Sequence, residues 1–309
     1  MNLNETLFRI AGHEIYVSFV PTQQNDITLL PSFGPFAATA EATDGGCAVS
    51  GHGDGRLFSI HVDDTLQPVA PEARTRIDTF DTGNGTTVAD SIEGGGYQFI
   101  IKDTAGNSCA LLQTNADYTR AKCALNGTRA MRQFGLNSAM MMMYAFSGSF
   151  HKTLLIHASL VRNNGYGYAF IAKSGTGKST HTSLWMRHIE GCDLMNDDNP
   201  IIRIIDGEAF IYGSPWSGKT PCYRNVKAPL GAITKIDRAL KNSVEKIPPV
   251  KALAQILPAC SSMKWDKTVY RNTYDTIIEL VTVSPYNYIL HCLPDREAAI
   301  ICHKTISRK

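Results

Sequence analysis

The chain has 309 residues, of which 43% are hydrophobic and 19% charged. That composition excludes wholesale disorder and fibrous repeats, and the length suits one large α/β domain or two modest ones. Thirty basic residues against twenty-eight acidic leave a formal charge of +2 with no run of like charges, which argues against a dedicated nucleic-acid or membrane-surface protein.

The eight cysteines, at positions 47, 109, 123, 192, 222, 260, 292 and 302, form no C-x-x-C pair. A chain of this length does not need disulfides, so reduced thiols are expected. The first residues lack the basic start and apolar core of a signal peptide. The most apolar stretch, 138–150 with four consecutive methionines, is too short for a membrane span and is broken by Gly148. A cytoplasmic location is the expectation.

The first 125 or so residues alternate apolar and polar side chains at Ile15, Val17 and Phe19, at Phe58, Ile60 and Val62, and at Tyr97, Phe99 and Ile101. Turn clusters separate these runs: Asp44-Gly45-Gly46, Thr82-Gly83-Asn84-Gly85 and Gly94-Gly95-Gly96. An antiparallel sheet with long loops follows, without recognisable chemistry and with a scaffold or substrate-selecting role by default. Residues 128–150 read as the first helix, with Met131, Phe134, Met141, Met142 and Ala145 near one stripe. Strands then alternate with helices, as in nucleotide-handling α/β domains. The boundary is placed near residue 130, between a β-rich domain, 1–130, and a nucleotide-binding domain, 131–309.

The run Tyr168-Ala169-Phe170-Ile171 has the length of a buried strand. It leads into Ala172-Lys173-Ser174-Gly175-Thr176-Gly177-Lys178-Ser179-Thr180 and a helical segment ending near Glu190. Strand, glycine loop and helix are the context in which a Walker A match carries weight. Gly175 and Gly177 let backbone N–H groups turn toward phosphate oxygens, and the helix start adds its positive end. Lys178 adds a full charge near the β and γ phosphates, and Ser179, with Thr180 beside it, a hydroxyl for Mg²⁺. Ala172 stands where the usual pattern has its first glycine, which a negative φ accommodates.

Upstream, 153–161 is another apolar run, separated from the strand by Asn163-Asn164-Gly165. If Asn164-Gly165 are the two turn residues of a hairpin, Asn163 pairs with Tyr166. Counting outward then sets His157 opposite Ala172, at the mouth of the loop. A one-residue change of turn would direct it elsewhere.

Asp193-Leu194-Met195 reads as a short strand ending in Asn196-Asp197-Asp198-Asn199-Pro200. An acidic strand end after a Walker A loop is the expected second half of a phosphoryl-transfer site. One carboxylate holds Mg²⁺ and the other accepts the proton of an attacking hydroxyl. Asp197 is taken as the base and Asp198, with Ser179, as the metal ligand; the reverse assignment stays open. A second hairpin, 201–205 and 209–212 around Asp206-Gly207, adds antiparallel strands that a dinucleotide-binding fold would lack.

These residues resemble the family that joins HPr kinase and phosphoenolpyruvate carboxykinase. Ser174-Gly175-Thr176-Gly177-Lys178-Ser179-Thr180 is similar to the carboxykinase phosphate loop, and Asn196-Asp197-Asp198 to its second acidic motif. His157, in the setting Leu155-Ile156-His157-Ala158-Ser159-Leu160-Val161, matches the upstream histidine of HPr kinases. The stretch 212–219 looks like one in HPr-kinase-related serine kinases outside the HPr system. The resemblance covers about residues 150–300. It implies a carboxykinase-like mixed α/β sheet with a P-loop and flanking helices, preceded by the smaller β-rich domain. It implies ATP and Mg²⁺, with a second divalent ion such as Mn²⁺ as a further option through His157. It also implies transfer to serine in a protein, peptide or free amino acid. The Arg-Gly-Leu-Gly signature of HPr kinase/phosphorylases is missing, which argues against HPr itself as acceptor.

Trp216, Lys219 and Arg224 sit in a Gly/Pro-containing loop, 214–225, suited to covering a ligand. The two cations there could neutralise transferring phosphate or bind a substrate carboxylate. With Lys178 they are expected to gather round one anion. His181 and Trp185 read as packing or adenine-neighbouring residues. Helices near 249–261 and 267–281, a strand near 286–292 and a helix from Asp295 complete the chain. The expected function is a Mg²⁺- and ATP-dependent kinase in which His157 polarises the γ phosphate, helps hold a second metal or orients the acceptor. The alternatives are a carboxykinase-like enzyme and a non-catalytic ATP-binding regulator. No nucleic-acid or membrane partner is expected, and self-association is left open.

Overall fold

The computed structural model describes residues 5–39 and 56–308, so the Asp44-Gly45-Gly46 turn and Cys47 lie outside the described residues. The chain is mixed α/β and divides into two units, Met1–Ser147 and Gly148–Lys309, each containing one nine-stranded sheet.

In the first unit the strands are β1 (Glu5–Ile10), β2 (His13–Phe19), β3 (Ala37–Ala38), β4 (Arg56–Val62), β5 (Arg74–Asp81), β6 (Thr86–Ile92), β7 (Tyr97–Lys102), β8 (Ser108–Thr114) and β9 (Arg120–Leu125). Their order is β3-β1-β2-β4-β9-β8-β7-β6-β5. The expected strands are present, but the sheet is mixed rather than antiparallel, because β4 runs parallel to both β2 and β9. Hairpin turns join β5 through β8, whereas long connections enter and leave β4, and only such connections permit parallel pairing.

Helix α1 (Arg129–Gly148) follows. Its buried side runs through Leu136, Ala139, Met140 and Met143, while Met131, Phe134, Met141 and Met142 stay partly exposed. Gly135 explains the choice of face. A Cβ there would lie 2.8 Å from the Cys109 carbonyl oxygen and 2.9 Å from Ala110 Cβ, so the helix backbone comes close to β8 at this residue. The Tyr144 hydroxyl donates to the Ile10 carbonyl at 3.2 Å and that of Ser147 to the Leu57 carbonyl at 2.9 Å. The helix therefore belongs with the first sheet, and the division falls after Ser147 rather than near residue 130. Gly135→Ala gains up to ~1 kcal/mol of helix propensity but meets backbone, an overpacking cost of about 1–3 kcal/mol. The melting temperature should fall; a rise would contradict the close approach.

The second unit contains β10 (Thr153–Leu155), β11 (Ala158–Asn163), β12 (Tyr166–Ile171), α2 (Lys178–His188), β13 (Asp193–Asp198), β14 (Ile201–Ile205), β15 (Glu208–Tyr212), β16 (Lys227–Arg238), β17 (Ser243–Lys246), α3 (Pro249–Ile256), α4 (Lys267–Val283), β18 (Asn287–Cys292) and α5 (Arg296–Ile306). The main path is β10-β14-β15-β16-β12-β11-β13, with β18 beside β16 and β17 beside β18. Asn164-Gly165 and Asp206-Gly207 both turn with positive φ (48° and 80°, 51° and 79°), as two-residue hairpins of this type require. The long strand β16 pairs antiparallel with β15 at its start and parallel with β12 and β18 further on.

Alternation along β12 sends Ala169 and Ile171 to a core shared with Ile256 of α3 and with Ile277 and Leu280 of α4. Tyr168 and Phe170 go to the opposite core, with Trp185 of α2 and with Ala298 and Cys302 of α5. The sheet is thus covered on both faces. Among the described residues, no helix is long and apolar enough to cross a membrane, and the seven described cysteines are free thiols.

Candidate functional site

The hairpin register pairs Asn163 with Tyr166 and Ala158 with Ile171, so His157 precedes the last paired residue of β11 and lies beside the exit of β12. On its other edge β11 pairs Ser159 with Asp197 and Ala158 with Asp198. Ala158 and Leu160 face the α3–α4 core, so alternation turns Ser159 and its partner Asp197 to the α2 side. Asp197, 3% exposed, accepts on Oδ1 from the Ser179 hydroxyl at 2.8 Å and from the Ser159 hydroxyl. The carboxylate of β13 and the first turn of α2 are joined there.

Asp198 is placed differently. Its Oδ1 is 3.2 Å from His157 Nε2, and its Oδ2 accepts from the Asn199 amide at 2.6 Å. The same His157 nitrogen is 2.9 Å from Lys178 Nζ, which also donates to the Ala172 carbonyl at 3.3 Å. In the tautomer whose Nε2 carries no hydrogen it accepts from Lys178; in the other, Nε2–H donates to Asp198. Burial pulls the Lys178 ammonium below the usual lysine pKa, and Asp198 and then Asp197 oppose that pull. Asp198 has φ 152°, which L residues rarely adopt. Backbone strain of this kind clusters at functional sites.

The loop joining β12 to α2 turns at Gly175 (φ 75°) and Gly177 (φ 128°), and a Cβ added at either would meet nothing within 4 Å. Ala172 keeps a negative φ and so fits the place of the usual glycine. Gly177 caps α2 without a side-chain hydrogen bond, which leaves the first-turn N–H groups of Lys178, Ser179 and Thr180 for an anion. Ser174, Ser179 and Thr180 are exposed, and Thr176 is half-buried.

His181 and Trp185 face away from the loop into the α2–α5 core, where Trp185 Nε1 donates to His181 Nε2 at 3.0 Å. Burial lowers the His181 pKa from 6.5 to about 4. The folded state therefore favours the neutral ring. Its stabilisation is complete above the unfolded value and lost as pH falls through about 4. The loss is on the order of 3 kcal/mol. His181→Gln keeps an acceptor for Trp185 without titrating, so its melting temperature should fall less than the parent's between pH 7 and pH 4.5. Equal falls would contradict the assignment.

The segment after β15 folds back onto the acidic strand end. Asn196 Nδ2 donates to the Ser214 hydroxyl at 3.2 Å and the Trp216 carbonyl at 3.0 Å, and Ser217 Oγ donates to the Asp197 carbonyl at 3.2 Å. Trp216 is packed inside this segment, 2% exposed, rather than presented to a ligand. Lys219 is exposed and follows Gly218, whose Cα faces Asp198 closely enough that a Cβ would lie 3.3 Å from that side chain. Arg224 donates to Asp193 Oδ2 at 2.7 Å, beside Arg162, at the opposite end of β13. That end lies roughly 16 Å from Asp198 at the rise of a strand. The expected gathering of Lys178, Lys219 and Arg224 is therefore not formed, because Asp193 holds Arg224.

Several contributors escaped the sequence reading. Ser159 was out of reach, since the hairpin register that places His157 sets Ser159 opposite Phe170, and its neighbour Asp197 comes from the separate pairing of β11 with β13. Arg238, whose guanidinium donates to the Gly175 and Thr176 carbonyls, had no local signal. Among the described residues, no three His, Cys, Asp or Glu side chains converge as a metal cluster; His157 and Asp198 meet as a pair. No protein-family model matches the chain and no curated protein matches it, so the reading of the site rests on its own geometry.

Proposed function

We propose that the second unit is a carboxykinase-like P-loop phosphotransferase that moves the γ-phosphate of ATP to a hydroxyl, with serine in a protein, peptide or free amino acid as the acceptor class. The observation that carries this reading is the meeting, at one end of β11, β12 and β13, of Lys178, the Ser179–Asp197 pair and the His157–Asp198 pair. The residues fit the ligands. The space beside Gly175 and Gly177 is open, and the start of α2 is uncapped by side chains. Ser179 Oγ and Asp197 Oδ1, 2.8 Å apart, are the hard oxygen donors that Mg²⁺ prefers.

Mg²⁺, when bound, offsets charge on the β and γ phosphates. Lys178 supplies a further preorganised charge from a buried position, where it acts more strongly than in water. Asp197 is buried and already accepts from two hydroxyls, so it suits the metal side. Asp198 is more open and faces His157, so it suits the base, the reverse of the first assignment. Asp198 takes the proton as the acceptor oxygen bonds to the γ phosphorus and the bond to the ADP oxygen breaks. His157 orients Asp198. The test is Mg-ATP turnover with and without a panel of serine-containing acceptors. Turnover should rise with an acceptor; nucleotide binding with no turnover on any acceptor would favour the regulatory reading instead.

A further inference from the structure

The glycine loop has little to hold it in shape. Gly175, at positive φ, is exposed, and no atom lies within 4 Å of a Cβ position at either Gly175 or Gly177. Glycines lose more freedom on ordering than other residues, so a preformed loop needs support from outside itself. That support comes from β16. Ile171 is in register with Lys235, so the last residues of β16 run on past the end of β12 and alongside the loop. Ala232 and Ile236 face the α2–α5 core, and alternation brings Arg238 to the same side.

Arg238 Nε donates to the Thr176 carbonyl at 3.0 Å and Nη2 to the Gly175 carbonyl at 2.5 Å. A trans peptide places its N–H opposite its carbonyl. Drawing the Thr176 carbonyl toward Arg238 therefore turns the Gly177 N–H away from it. Drawing the Gly175 carbonyl the same way turns the Thr176 N–H back, where it donates to the Lys173 carbonyl at 3.2 Å. One planar fork thus fixes two successive peptide planes. Lysine carries its donors on one rotatable ammonium and cannot reproduce that fixed planar geometry.

We propose that Arg238 is a positioning residue that pre-forms the glycine loop for a nucleoside triphosphate without touching phosphate itself. The inference rests on the reading of the loop as a nucleotide site. Its test compares the parent chain with Arg238→Ala and Arg238→Lys, measuring affinity for a non-hydrolysable ATP analogue with Mg²⁺, KM and kcat for ATP, and melting temperature. Arg238→Ala should weaken analogue binding and raise KM about tenfold, the scale of one charge-assisted hydrogen bond. Its kcat at saturating ATP and its melting temperature should stay close to the parent's. Millimolar methylguanidinium should restore part of the affinity of the alanine variant, and Arg238→Lys should recover only part of it. Parent-like affinity in Arg238→Ala would overturn the proposal while leaving the kinase reading intact. Full recovery by lysine would also overturn it, by assigning the effect to charge alone. A parent chain that binds no nucleotide would overturn both.

Discussion

Lys178→Ala should lower Mg-ATP turnover by at least ~10²-fold, the scale for removing one preorganised charge contact from a transition state. The protein should not be less stable for it. In the folded chain the Lys178 ammonium is buried, and its pKa is pulled below 10.5. Between that lowered value and 10.5 the unfolded state binds more protons, so this group makes stability rise with pH across that window. Buried thiols and phenols act in the opposite sense, so the informative quantity is the parent minus the variant. That difference in melting temperature should grow in the parent's favour as pH rises toward 10.5. An unchanged turnover would sink the site, and a pH-independent difference would sink the electrostatic account of Lys178.

Asp197→Asn and Asp198→Asn should separate the two carboxylates. Loss of the base typically costs about 10²–10⁴-fold, so Asp198→Asn should lower kcat on that scale with little change in the Mg²⁺ concentration needed for half-maximal rate. Asp197→Asn should raise that concentration markedly, because Asp197 is the carboxylate hydrogen-bonded to Ser179. Kinetic titration with Mg²⁺ checks both variants. The opposite pattern would restore Asp197 as base and Asp198 as metal ligand.

Much of the second unit was legible because its information is local. Asn164-Gly165 and Asp206-Gly207 specify tight turns, and a tight turn sets the register of everything paired beyond it. His157 could be placed near the loop by counting alone. What was not legible depends on partners far along the chain. The parallel neighbours of β4 are set by long connections. The buried side of α1 is set by Gly135 meeting β8, in a helix whose apolar residues occur on several sides. Arg224 looked like a ligand-binding cation because its counter-charge, Asp193, lies 31 positions away. Arg238 shares that difficulty, since no motif marks an arginine 62 and 63 positions from the carbonyls it holds.

In the proposed enzyme the glycine loop and the acidic end of β13 hold one nucleotide between them. That arrangement is tested most directly by a crystal structure of the full chain with Mg²⁺ and a non-hydrolysable ATP analogue. The γ phosphate should lie within hydrogen-bond reach of Lys178, with Mg²⁺ on the Ser179 hydroxyl and Asp197 and with Asp198 left open toward the acceptor side. Phosphates seated away from residues 174–180, or a metal held by Asp198 with Asp197 unengaged, would contradict it.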